Sequence, residues 1–107
     1  MPTGLEAPDS IDVVARKDGV YVLVMLVDSP WRDDAESVEL LRRKVNTYAT
    51  YVLDELFLRD YPDAAGQPVE VHVRSGSPPP TRAAQLLEVA AGRFAEYGVP
   101  LRLVVTP

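Results

Sequence analysis

Eight consecutive residues, Val20 to Val27 (VYVLVMLV), carry no charge, no glycine and no proline, and they constrain the fold more than any other stretch. The run is far too short to cross a bilayer, which takes about 20 apolar residues in a helix. It reads as a β-strand. Its alternating sets are Tyr21, Leu23, Met25, Val27 and Val20, Val22, Val24, Leu26, and both are apolar. Such a strand sits centrally in a sheet or is covered on both faces. A single layer of helices covers only one face. The other face calls for a partner, and a second copy of the chain is the simplest one.

The flanking sequence supplies the rest of the sheet and its helices. Ile11 to Arg16 forms a short strand, and Lys17-Asp18-Gly19 holds the Asp-Gly signal of a hairpin turn into the central strand. Asp33 or Asp34 suits the N-cap of a first helix running to about Leu58. Val38, Leu41, Val45, Tyr48, Val52 and Leu56 step by three and four along it, which gives one core stripe. Tyr51, Leu53, Phe57 and Leu58 lie off that stripe. At 1.5 Å per residue the helix would be about 37 Å long. An overhanging apolar end again points to a dimer.

Pro62 stops the helix, and Gly66 and Pro68 precede a strand over Val69 to Arg74, with Val69, Val71 and Val73 inward and Glu70, His72 and Arg74 outward. A second helix runs from Pro80 or Thr81 to Tyr97, with Ala83, Leu86, Leu87, Ala90, Phe94 and Tyr97 as its core face. Gly98 fits the left-handed position after it, and Pro100 prevents its continuation into the strand Leu101 to Val105. The order is β-β-α-β-α-β. The expected fold is an α+β two-layer sandwich, a four-stranded mixed sheet with two helices on one face and a parallel crossover between the last two strands. Residues 1–10 read as a flexible N-terminal arm and residues 11–107 as a single domain.

Composition removes several classes of function. The 16 acidic residues outnumber the 11 basic ones, giving a net charge of −5 with no basic run. Nucleic-acid binding needs a basic face, so no nucleic-acid partner is expected. There are no cysteines, hence no disulfide framework, thiol nucleophile or thiolate zinc site. A cysteine-free chain without a visible signal peptide or membrane segment suits the cytoplasm.

Chemistry-bearing residues are sparse. Asp28, Asp33 and Asp34 offer too few oxygens for a hard cation and resemble no calcium-binding loop, so capping and turn formation account for them better. Trp31, the only tryptophan, either walls a pocket or plugs the edge of a small core, and the plug is the commoner role. His72 is the only imidazole and points outward by strand parity. Lys44 borders the helix stripe, where a lysine usually runs its stem along apolar surface and keeps its amine in water. The glycine of RSGSPPPTR before the second helix lacks the spacing of a phosphate-binding loop. No catalytic set, metal site or cofactor motif emerges.

Ile11-Asp12, Asp28 and Trp31, KVNTY at 44–48 and YPDAAGQPVEVHV at 61–73 occur in a definite order and spacing. On these residues the chain resembles, from Ile11 to about Val105, a family of small bacterial proteins known only as a domain of unknown function. The resemblance implies a stand-alone domain and no particular activity. The leading expectation is therefore a non-enzymatic protein-interaction module, a homodimer, with room for an unidentified protein partner. A small-ligand binder or enzyme with a pocket at Asp28, Trp31, Lys44 and Tyr61 is one alternative. An acidic immunity-type partner of a basic protein is another.

Overall fold

The computed structural model describes residues 4, 5, 7–27 and 30–106. Strand β1 (Val13–Lys17) turns back through Asp18 and Gly19 into β2 (Val20–Val27). Both turn residues have positive φ, 53° and 81°, the conformation that an Asp-Gly hairpin turn supplies. Helix α1 (Ala35–Leu53) and a short helix α2 (Leu56–Asp60) follow, then a 3₁₀ turn at Pro62–Ala64, β3 (Val69–Ser75), α3 (Thr81–Glu96) and β4 (Leu101–Val105). The strands lie in sequence order, β1-β2-β3-β4. The first pair is antiparallel and the other two are parallel, so the fold is the mixed-sheet α+β sandwich expected.

Strand parity divides the sheet into two chemically different faces. Tyr21, Leu23, Met25 and Val27 of β2 lie beside Val69, Val71, Val73 and Ser75 of β3. On this side they meet Leu41, Val45 and Tyr48 of α1 and Ala83, Leu87, Ala90 and Phe94 of α3 in one core. No described helix lies on the opposite side. That side presents Val13, Ala15 and Lys17, then Val20, Val22, Val24 and Leu26, then Glu70, His72 and Arg74, with Arg102 and Val104 last.

Two expectations change. The first helix does not run on to Leu58: it ends at Leu53, and Glu55 takes the left-handed conformation (φ 66°) before α2 begins. The apolar end therefore folds back instead of overhanging. Phe57 is buried, and its ring stands 5.6 Å from Tyr21, 5.8 Å from Tyr51 and 5.3 Å from Tyr61, centroid to centroid. Tyr97, placed in the second helix core by spacing, is 66% exposed because it stands in the C-terminal cap of α3, where the chain turns through Gly98. In the described part of the N-terminal segment Leu5 and Ala7 are buried.

A left-handed glutamate is costly, since its Cβ crowds the following carbonyl by roughly 1–2 kcal/mol. Glu55→Gly removes that clash at the expense of some chain entropy. The expected outcome is stabilisation of up to about 1 kcal/mol in urea unfolding.

Candidate functional site

Of the four residues singled out as a pocket, Asp28 lies outside the described residues. The other three do not converge. Trp31 stands at the carboxyl end of β3, where its indole N–H donates to Ser75 Oγ (2.6 Å) and to the Ser77 carbonyl (3.0 Å). Tyr61 belongs to the aromatic group around Tyr21, at the other end of β2. Tyr21 pairs with Val69 and Val27 with Ser75, so about 20 Å of strand separates the two places. Neither the concavity between α1 and α3 nor the one beside Thr47 and Leu56 is lined by Trp31, Lys44 or Tyr61.

Lys44 does not run its amine out to water. Its side chain and that of Asp12 are both 0% exposed, and Nζ donates to Asp12 Oδ1 (2.7 Å) and to the Ala7 carbonyl (2.8 Å). Sequence spacing explains the placement: Lys44 follows Leu41 by three and precedes Tyr48 by four, on one helix face. The amine is held where the hairpin and the N-terminal segment meet. Asp12 precedes β1, whose ladder with β2 begins at the Val13–Val24 pair. Beyond that point the Leu26 N–H donates to Asp12 Oδ2 (2.9 Å) and the Gly4 N–H to Oδ1 (3.3 Å).

Tyr48 completes the arrangement. Its hydroxyl accepts from the Asp12 N–H (3.0 Å) and donates to the Val24 carbonyl (2.5 Å). Burial pushes the phenol pKa well above its ordinary value. Around this centre the Thr47 hydroxyl donates to the Pro8 carbonyl and Arg43 pairs with Asp9. Every donor and acceptor named here is used within the chain. The network joins the segment before β1, the end of the β1–β2 ladder and the middle of α1.

Trp31 has a comparable role at the other corner. It is half-buried and packs on the core, and the Ser75 hydroxyl in turn donates to the Ser77 carbonyl. Arg82, at the start of α3, reaches across to Asp33 Oδ1 (3.0 Å) and the Asp33 carbonyl (2.8 Å). Asp34 accepts from the Ser37 N–H (2.7 Å) as the N-cap of α1, and that bond holds its carboxyl below the ordinary range. Both long helices thus start side by side at the carboxyl ends of the parallel strands. Ligands of open α/β sheets bind there where the strand order reverses. Here the order runs 1-2-3-4 without reversal, and the corner is closed by Trp31 and the Arg82–Asp33 pair. Trp31→Phe, which keeps an aromatic ring at the corner and drops the N–H, is expected to cost about 1–2 kcal/mol in chemical denaturation.

On the open face, Glu70 Oε1 sits 2.9 Å from His72 Nε2 and accepts from Arg102 Nε (3.2 Å). Those two hydrogen bonds hold the Glu70 carboxyl below its usual range. Ser75 belongs to the other face of β3, so it is no nucleophile for this imidazole. Between α1 and α3 runs an open groove of about 900 Å³, lined by apolar side chains such as Leu86, Val89 and Phe94 with Arg42, Arg82 and Arg93. No described helix is long and apolar enough to cross a membrane.

The fold and its interior define a class: a small α+β domain whose buried polar residues hold the chain together and whose sheet is open on one side. The chain belongs to the family of unknown function DUF6572, whose pattern matches residues 3–106. No curated protein and no solved structure matches it.

Proposed function

We propose that the chain is a non-enzymatic protein-interaction module that self-associates as a homodimer and acts through protein contacts in the cytoplasm. The observation that carries the reading is apolar surface on the sheet that no described element of the chain covers. Leu103 and Val105 are each 42% exposed along β4, whereas on the open face Val13 is exposed and Val20, Val22 and Leu26 are half-buried. Apolar side chains grouped at a surface mark sites of association more often than singly scattered ones do. The division of labour among the polar residues supports the same reading. Lys44, Asp12, Tyr48 and Trp31, the side chains best equipped for chemistry, have their polar atoms taken up inside the fold.

Sedimentation equilibrium from low to high micromolar concentration tests it. The expected result is a mass that rises with concentration to that of two chains. A single-chain mass across the whole range overturns the reading.

A further inference from the structure

The geometry points to the outer edge of β4 as the seat of the second copy, paired antiparallel to its own β4 so that two four-stranded sheets become one of eight. This rests on the self-association proposed above and names its surface.

Hydrogen-bond parity fixes which groups of β4 are free. The Val71 N–H donates to the Pro100 carbonyl and the Thr106 N–H to the Ser75 carbonyl. The even-numbered residues of this strand therefore face β3. Leu101, Leu103 and Val105 turn their N–H and C=O groups away from it, along the edge. Two copies brought together antiparallel about Leu103 set Leu101 opposite the partner's Val105 and Leu103 opposite the partner's Leu103. Each such pair exchanges two bonds, about six in all. The side chains of the same three residues lie on the helix side, in register with Val71, Val73 and Ser75. Leu103 and Val105 are each 42% exposed there, so the pairing also takes apolar area out of water.

The competing surfaces are less suited. Edges of natural sheets are protected by charge, proline or cover. β1 ends in Arg16 and Lys17, which supply that protection, whereas the only charge in β4, Arg102, is drawn onto the open face by Glu70. Face-to-face packing of the open sides would take the Glu70–His72–Arg102 group out of water, and the desolvation of charged groups opposes it. Besides, Val24 on that face is already 6% exposed, with neighbours that are half-buried, so less apolar area remains to be gained.

The deciding measurement is amide exchange by NMR on the full chain at low and high micromolar concentration, with sedimentation of three variants. Leu103→Pro removes an N–H that no bond inside the chain uses, a position where an edge strand tolerates proline. Leu103→Lys sets like charges opposite each other across the two-fold axis. Val22→Lys alters the open face alone. The expected result is concentration-dependent protection of the Leu101, Leu103 and Val105 amides, single-chain mass for both Leu103 variants, and two-chain mass for Val22→Lys. A wild-type dimer that survives at Leu103→Lys, or whose three amides exchange equally fast at all concentrations, overturns the β4 seat and leaves self-association standing. A wild-type monomer overturns both. If Leu103→Pro fails to fold, the wild-type amides and Leu103→Lys decide.

Discussion

Lys44→Met lowers the stability of the protein by about 3–5 kcal/mol, the cost of leaving one member of a buried ion pair without the other. The methionine fills the space of the lysine stem, so little of the loss comes from packing. It comes from Asp12, whose carboxylate stays among apolar groups with only the Leu26 and Gly4 amides to face. The Ala7 carbonyl loses its ammonium donor as well. Pairing the change with Asp12→Asn separates the terms. Asparagine still offers an oxygen to the Leu26 N–H but carries no charge, so the double variant recovers part of the loss. The coupling energy expected from the cycle is about 1–3 kcal/mol. Urea unfolding of the four proteins checks it. A double variant as unstable as the sum of the two single ones would mean that the charges are not coupled.

Phe57→Ala is the second large effect, about 3–5 kcal/mol for emptying a fully buried aromatic site. Phe57 is the anchor of α2, and three tyrosine rings pack edge-on or tilted around it. Without it the left-handed turn at Glu55 has no packing energy to offset its strain. The residues after Leu53 are then expected to lose amide protection while α3 keeps it. Thermal unfolding measures the first consequence and hydrogen exchange the second. Among the tyrosines, Tyr51 reports locally: burial and the hydrogen bond it donates to Asp60 raise its phenol pKa.

These two residues also mark where reading the sequence succeeds and where it stops. Hairpin, central strand, β3, the second long helix and β4 were all legible, because each is fixed by local signals: Asp18-Gly19, strict alternation at Val69 to Arg74, and Gly98 before Pro100. The helix break at Asp54-Glu55 has no such signal. Both residues tolerate a helix, neither is glycine or proline, and the apolar spacing runs on through Leu56. Packing of Phe57 against Tyr21, which lies far away in sequence, decides the break. Lys44 is a similar case. A lysine beside an apolar stripe reads as a surface residue, and only a carboxylate 32 residues earlier reverses that. Ile11-Asp12 belongs to the pattern shared with the family, but nothing in the spacing ties it to Lys44. No local signal in the sequence sets the distance between the loops that carry Trp31 and Tyr61. The strand register keeps them at opposite ends of the sheet.

The strand order has a consequence for how the sheet is assembled. Each strand pairs only with those next to it along the chain, so none has to be inserted between two already joined. The sheet can be extended in one direction, a strand at a time, as each crossover brings the next segment alongside. When β3 is in place, its outer side offers unpaired backbone groups and a row of valines, and β4 adds to them. The outer side of β4 then presents backbone groups of the same kind beside leucine and valine. Among the described residues no further strand pairs with that side.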